Sequence, residues 1–530
     1  MFIKIYLLLS NLLDANRLKK LLLSSFGMPI LCALGGVLNS MGLAPVASWP
    51  FTILGYVLFM VVLSFATTKK QVFLYTLVFF SIYSLISLSW LSHVMEGFGE
   101  MPSYISWPVI ALGVLTITSL PYALFNTFAF TVAKKHQGVF LCAFMPLAFI
   151  LGDFFVGVFL TGFPWLYAGY SCIEGPLKNY ASLIGVRGIS ALLYIISGAV
   201  ALTALRKFLY LPIAAVILTV GILIEGATAL KRIEPMNVAL VQGNVEVSVH
   251  NNGENLESIL GKYWALTSNV IKNNTLVLWS ESTLPMTVEY GYEVLVDLDK
   301  IFKLHNANLV TGLFRTSDKS YYNSMAILGA GVTDAGFSGY NKRVLVPFGE
   351  IVPFEELLRP LGSIFVIPNS SFDYGQDNQK PLHIGTHEFT PAICYEAIFP
   401  EVIRSLDNEK TNGLIMISND TWFAGTKAPR QHLNIARMRS MELSKPMLRC
   451  TNSGITAYIN EKGEIVSELA SDVAGVLEVK FYPVTGQSLY SRYGNLGVLI
   501  IMLLLLGTGI YGRFIRKETP EDSFLNLIKP

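Results

Sequence analysis

The sequence predicts a polytopic α-helical membrane domain of about eight transmembrane helices, joined to an α/β layered domain that precedes the last span. Three observations predict this. The chain is 52% hydrophobic and only 14% charged over 530 residues, whereas soluble domains average roughly 25% charged residues. Charge is scarce up to about residue 230 outside short clusters, and the composition becomes soluble-like over roughly 235–485. From Met236 onward, long apolar runs give way to short ones that end in polar residues.

A bilayer-spanning helix needs about 20 mainly apolar residues. The stretches 22–43, 48–67, 72–91, 106–132, 138–160, 185–205, 210–229 and 493–515 meet that rule. Only the turn-like segment Gly42 to Trp49 separates the first two. The opening "MFIKIYLLLSNLLDANRLKK" is a short apolar run interrupted by Asn11, Asp14 and Arg17, with no small-residue cleavage site after it. It reads as a lead-in to the first span and not as a removed signal peptide.

Lysine and arginine set the orientation. Arg17, Lys19, Lys20, Lys69, Lys70, Lys134, Lys135, Arg206, Lys207, Arg513, Arg516 and Lys517 all fall on one side if the spans alternate. The opposite loops carry little beyond Lys178 and Arg187, while Lys231 and Arg232 run weakly against the rule. Both termini are therefore expected in the cytoplasm, with the large segment before the last span outside it, in the periplasm of a cell with two membranes. Glu225, near the outer end of the seventh span, is an intramembrane charge of the kind retained for packing or for function. The aromatics of "TGFPWLYAGY", Thr161 to Tyr170, suit an interfacial belt better than a specific site.

In the outward segment, "NVALVQGN", "TLVLWSEST", "ANLVTGLF", "NSMAILGA", "FTPAICYE" and "GLIMISND" are each apolar for about five residues and then turn polar, as buried central strands do. Helical stretches fall between them at Glu254 to Asn269, Glu293 to Lys303, Pro400 to Ser405 and Pro429 to Leu443. Strand–helix alternation implies an α/β layered domain, whose chemistry gathers where strands end. The expected division is 1–232 for the N-terminal membrane domain, 233–488 for the outward domain and 489–530 for the last span and tail.

Three strand ends carry reactive groups: Glu281 in "LWSESTLP", Lys342 and Glu350 in "YNKRVLVPFGEIVP", and Cys394 in "PAICYEAIFP". A carboxylate, an ammonium and a thiol are what acyl transfer through a thioester requires. Glu281 takes the thiol proton so that the thiolate attacks a carbonyl, and Lys342 faces the developing oxyanion. Glu281 then returns the proton to the leaving group. Taken singly, Cys394 also fits a small buried side chain, Glu281 a helix cap and Lys342 a solvated surface residue.

The order Glu–Lys–Cys on "WSEST", "YNKRVLVPFGE" and "AICYE" resembles the nitrilase superfamily. With membrane spans before and after it, the chain resembles that superfamily's membrane-bound branch, the apolipoprotein N-acyltransferases. "LVQGN", "VPFGEIVP", "SNDTWF" and "QHLNIARMRSMELSKPMLRCTNSGITA" are similar to that family's blocks, and the resemblance covers nearly the whole chain. It implies a nitrilase-like αββα sandwich, with Glu281 as general base, Lys342 as oxyanion stabiliser and Cys394 as nucleophile. Glu350, Tyr395 and Glu396 are implied in support, Glu396 orienting Lys342 or the incoming amine. Phe348 and Trp422 are implied on arms over the lipid entrance, where ordinary loop anchoring explains them equally well. The implied reaction is ping-pong, from a phospholipid acyl donor to a diacylated apolipoprotein acceptor at the bilayer of the bacterial inner membrane.

The chain departs from the family at Val245-Glu246-Val247, where Ile-Pro-Gln is frequent, and has no tryptophan between there and Trp264. Cys450 stands where alanine or serine is usual, and Lys445 where arginine is common. Two other functions share parts of this pattern: a membrane-tethered amidase passing its acyl group to water, and a transporter or receptor in which Cys394 is structural. A net charge of +2 with no basic stripe argues against a nucleic-acid partner. Five scattered cysteines form no disulfide framework. His383 and His387 lack supporting ligands at metal spacing, so no metal or cofactor is expected.

Overall fold

The computed structural model describes residues 24, 26–133, 136–224, 230–246, 256–317, 320–330, 336–352 and 372–514. The lead-in to the first span, Lys134, Lys135, Glu225, Val247, Arg516 and Lys517 lie outside the described residues.

The N-terminal part is a helical bundle: α1 (Gly27–Ser40), α2 (Trp49–Ser64), α3 (Lys69–Ser87), α4 (Ser103–Ala133), α5 (Gln137–Val156), α6 (Pro176–Ala204) and α7 (Phe208–Leu223). Local chemistry sets their starts. Pro50 lies in the first turn of α2, where a missing N–H costs nothing. Thr68 and Gln71 form a capping box at α3. In α4 a π turn at Val114–Ser119 lies between Pro108 and Pro121, as expected where prolines interrupt the hydrogen-bond ladder. A Cβ on Gly55 would sit 2.6 Å from the Gly35 carbonyl, so glycine lets α1 and α2 touch backbone to backbone, the small-residue contact of membrane bundles. Four of these helices, α3, α4, α5 and α6, are long and apolar enough to cross a membrane, as is a final helix at Leu496–Phe514; α1, α2 and α7 are apolar but shorter.

From Met236 the chain builds two six-stranded sheets. The first contains β1 (Met236–Gln242), β2 (Thr275–Trp279), β3 (Asn308–Ser317), β4 (Ser320–Leu328) and β5 (Gly339–Asn341). The second contains β6 (Leu382–Ile384), β7 (His387–Ile393), β8 (Thr411–Ser418), β9 (Met447–Thr451), β10 (Thr456–Ile459) and β11 (Ile465–Leu469). β12 (Gly475–Phe481) returns to the first sheet and pairs antiparallel with β1. The spatial orders are β12-β1-β2-β3-β4-β5 and β11-β10-β9-β8-β7-β6. In each sheet three parallel strands form the centre, β1, β2 and β3 in one and β7, β8 and β9 in the other, flanked by antiparallel ones.

Strand alternation builds the layers. Val238, Leu240, Leu276, Leu278 and Val310 meet Phe389, Ile393, Ile415, Ile417 and Leu448 between the sheets. The alternate residues Ala239, Val241, Val277 and Trp279 face α8 (Leu256–Thr267) and α9 (Tyr292–Leu304). On the second sheet, Ala392, Leu414 and Met416 face α10 (Pro400–Ser405) and α11 (Ala428–Leu443). The result is an αββα sandwich, covered on both faces as parallel strands require. The last helix, α12 (Leu496–Phe514), follows it, with only 17% of its apolar window buried. A short antiparallel pair, Lys231–Arg232 with Val484–Thr485, closes the neck between bundle and sandwich.

Two expectations are corrected. The Thr161 to Tyr170 aromatics are not an interfacial belt: Trp165, Tyr167 and Tyr170 are buried in 3-10 turns where bundle meets sandwich. The Trp165 N–H finds Gln431 of α11 at 2.9 Å instead of a headgroup, because an amphipathic ring serves any boundary offering an acceptor. The sequence pattern also missed β5, β6 and β9 to β12. β9 carries the charged Arg449 at its centre, and β11 and β12 are only partly covered.

Candidate active site

The central strands of both sheets end at one place. Glu281 lies two residues beyond β2, in a turn where Ser282 takes φ 51°. Gly312 of β3 passes against this turn so closely that a Cβ there would sit 2.7 Å from the Glu281 Cα and 2.4 Å from the Ser282 nitrogen. Lys342 follows β5, and its N–H donates to the Asn323 carbonyl of β4 at 2.8 Å.

The Lys342 ammonium lies between two carboxylates, 3.0 Å from Glu281 Oε1 and 2.9 Å from Glu350 Oε1, with its side chain 1% exposed. Asn323 Nδ2 donates to the same two oxygens at 2.8 and 2.7 Å. Glu281 Oε2 accepts from the Asn419 N–H at 2.8 Å, and Glu350 Oε2 from the Val346 N–H at 2.8 Å. Each carboxylate therefore has partners at both oxygens, as buried charge demands. Burial pushes the Lys342 ammonium down, but Glu281 and Glu350 outweigh it and hold the group well above the usual lysine range.

Cys394 stands where β7 ends, at φ 49°, a sparsely populated conformation for a residue with a Cβ. Burial and then the Glu281 charge push its thiol well up, against a smaller lowering by Lys342. Glu396 fixes the turn beyond it. Its carboxylate accepts from the Tyr340 hydroxyl at 2.7 Å, the Arg343 N–H at 2.6 Å and the Ile393 N–H at 2.7 Å. It thus ties the lysine-bearing loop to the cysteine-bearing strand. Burial raises the Glu396 pKa, and these donors only partly offset it.

Tyr395 turns toward the bundle, its hydroxyl donating to the Gly162 carbonyl at 3.3 Å and its ring stacked near Phe163. Trp422 is half-buried against Phe98 of the bundle, ring centroids 4.8 Å apart. Phe348, at φ 62° and 40% exposed, caps the loop between Lys342 and Glu350, its N–H donating to the Ile351 carbonyl. The structure thus brings Glu281, Lys342, Glu350 and Cys394 together, with Glu396 behind them and Tyr395 and Trp422 against the bundle.

The family departures lie in packed structure. The Cys450 thiol donates to the Val241 and Leu278 carbonyls, both at 3.3 Å, between the two sheets. The Lys445 ammonium donates to the Thr411 and Gly486 carbonyls. Val245 is buried on Asn452, and Glu246 is exposed.

Sequence reasoning gave no role to Asn323, Asp420, His432 or Arg449. His432 of α11 reaches the Cys394 carbonyl oxygen, Nε2 to O 3.1 Å, and not the thiol. Asp420 binds Arg449 Nη2 at 2.6 Å, and His432 Nδ1 lies 3.2 Å from its Oδ1. Burial raises the Asp420 carboxyl, but Arg449 and His432 outweigh it and hold it well below the usual range. An arginine inside an otherwise apolar strand was the available signal, since buried charge implies a buried partner. Among the described residues, no group of three or more His, Cys, Asp or Glu side chains is placed to hold a metal ion.

A thiol at the end of one sheet's central strand, electrostatically coupled to an ammonium held between two carboxylates of the other sheet's side, sits on a nitrilase-like carbon–nitrogen hydrolase fold. The Carbon-nitrogen hydrolase family matches residues 237–489, and the Apolipoprotein N-acyltransferase N-terminal domain matches residues 35–199. The apolipoprotein N-acyltransferase of Shewanella oneidensis is 35% identical over 82% of this chain and 86% of its own. That of Vibrio cholerae is 32% identical over 88% and 94%. Among solved structures, a CN-hydrolase superfamily protein from Xanthomonas campestris aligns with 47% of this chain and 91% of its own, at 14% identity and a TM-score of 0.35. The chain belongs to the apolipoprotein N-acyltransferase family.

Proposed function

We propose that the protein transfers an acyl chain from a membrane phospholipid, through a Cys394 thioester, to the α-amino group of the S-diacylglyceryl cysteine that begins an apolipoprotein. The observation that carries this reading is the Lys342 ammonium held between Glu281 and Glu350 near a strand-end cysteine whose neighbour Tyr395 leans on the helical bundle.

Glu281 accepts the thiol proton, the thiolate attacks the ester carbonyl, and Lys342 faces the resulting oxyanion. The proton passes from Glu281 to the leaving oxygen, releasing a lysophospholipid and leaving the thioester. The free amine then attacks the thioester, gives a proton to Glu281 and forms an amide as the thiolate departs. The thiolate regains that proton from Glu281. Glu350 and Glu396 support this set by holding Lys342 and the cysteine turn, and Phe348 and Trp422 line the lipid approach.

Eight spans, residues 1–232 and 489–530 as the membrane portion, cytoplasmic termini and a periplasmic 233–488 domain complete the proposal, in the inner membrane of a bacterium. Both substrates are anchored in one leaflet, so a site held at that surface gains effective concentration. Intact mass spectrometry of the purified chain after phospholipid, then after a diacylated lipopeptide, tests the reaction. The expected result is an acyl adduct absent from Cys394→Ala that moves to the lipopeptide amine. An adduct lost only to water would replace the transferase with a hydrolase, and no adduct on a folded chain would refute both.

A further inference from the structure

His432 is the only fully buried histidine among the described residues, and it touches both the sandwich and the bundle. Nε2 lies 3.1 Å from the carbonyl oxygen of Cys394 itself. Nδ1 lies 3.2 Å from Asp420 Oδ1, and Asp420 is in turn fixed by the Arg449 guanidinium at 2.6 Å and the Ser418 hydroxyl at 2.6 Å. Arg449 Nη2 is also 3.4 Å from Nδ1. A carbonyl can only accept, so Nε2 donates to Cys394, while Nδ1 lies between the Asp420 carboxylate and the Arg449 guanidinium, and the ring cannot turn without abandoning the buried carbonyl. Trp165 of the bundle stacks on the imidazole at 5.6 Å and 26°, and Phe423 meets it edge-on at 6.2 Å.

We propose that His432 is a positioning residue for the nucleophile, resting on the reaction proposed above: it pins the Cys394–Tyr395 peptide plane. A trans peptide is planar, so holding the Cys394 carbonyl also fixes the Tyr395 N–H, which points the opposite way. The plane needs holding because Cys394 sits at φ 49°, which a chain adopts only when its surroundings impose it. The membrane segment takes part at two points. Gly162 accepts from the Tyr395 hydroxyl and Trp165 covers His432, so the bundle bears on the nucleophile's own peptide. A histidine serving stability alone would be satisfied by Asp420 and the aromatic walls, and its bond to the cysteine carbonyl would be dispensable.

Full-length chain in phospholipid nanodiscs tests this, with acyl-enzyme formation followed by intact mass and folding by thermal melting. His432→Gln keeps an amide donor near the Nε2 position, His432→Asn keeps one near Nδ1, and His432→Phe keeps only the stack. The Phe and Asn variants are expected to lose about 100-fold in acylation kcat, the scale of a misplaced reacting group, with phospholipid KM within about twofold. The Gln variant is expected to recover to within about tenfold of the parent. Folded Phe or Asn variants acylating within threefold of the parent would overturn the role, as would Gln no faster than Asn. If the Phe variant does not fold, the Gln and Asn comparison decides alone. A parent chain that forms no acyl-enzyme would remove the reaction itself, whereas parent activity with an indifferent His432 removes only this role.

Discussion

Lys342 is where the electrostatics of the site converge, and replacing it exposes what it balances. Lys342→Met leaves Glu281 and Glu350 buried around an uncompensated charge, which costs about 3–5 kcal/mol. The expected melting point falls by about 10 °C at 2–4 °C per kcal/mol. Adding Glu350→Gln should restore part of that fall without restoring acyl transfer, a pattern that thermal melts and the mass assay read separately. Cys394 carries the complementary pH test. Burial and Glu281 raise its thiol, so the thiol form dominates at neutral pH and the thiolate fraction grows as pH rises toward the displaced value. Alkylation by iodoacetamide should therefore increase from pH 6 to 10 with no plateau near 7, and Glu281→Gln should alkylate faster than the parent at pH 9. A neutral plateau would contradict the raised thiol. Glu281 and Cys394 drew attention in the sequence because each stands just beyond an apolar run, and Lys342 because it completes the Glu–Lys–Cys order. His432 did not, because in "QHLNIARMRSMEL" it is one polar residue among many, and only folding shows which of them faces the cysteine.

At the scale of elements, the best-marked strands were those buried on both faces. β2 alternates Leu276 and Leu278 toward the other sheet with Val277 and Trp279 toward the helices, so it reads as an unbroken apolar run. β9 escaped notice because Arg449 breaks the run, and its partner Asp420 comes from a distant loop that pattern reasoning cannot supply. The helix α11 shows the same limit. Leu433, Ala436 and Leu443 face the sandwich while Ile435, Met438 and Met441 face the bundle, so it has two apolar stripes and no solvent face to calibrate them. Gln431 on this helix accepts from Trp165 and donates to the carbonyls of Ala44 at 3.2 Å and Ser87 at 3.3 Å. Gln431→Ala strands the buried indole N–H, a cost of about 1–3 kcal/mol. The melting point should fall by several degrees, and thermal melts in detergent check it; an unchanged midpoint would mean that the bundle and sandwich are held elsewhere.

For the whole molecule, hydropathy and charge foretold a helical bundle joined to a layered domain, but not that the two share a packed boundary. Val186 of α6 donates its N–H to the buried Glu442 of α11 at 2.7 Å, and Arg187 pairs with Glu401 of α10. With Tyr395 and His432 also leaning on bundle residues, the isolated 233–488 domain should acylate a bilayer-embedded lipopeptide far more slowly than the full chain at equal concentration. Equal rates would show that the bundle contributes nothing to the chemistry. The short ladder at the neck carries a different implication. Lys231 and Thr485 are paired neighbours, so the sandwich leaves the chain and rejoins it at nearly one point. In topological terms it is a cassette: a short bridge between those residues would reconnect α7 to α12 with the helix order intact, and the excised sandwich would present adjacent ends. Such a gene can gain, lose or permute its catalytic body without rewiring the membrane part, and the grip of Trp165 and Gln431 is what makes two separable pieces depend on one another.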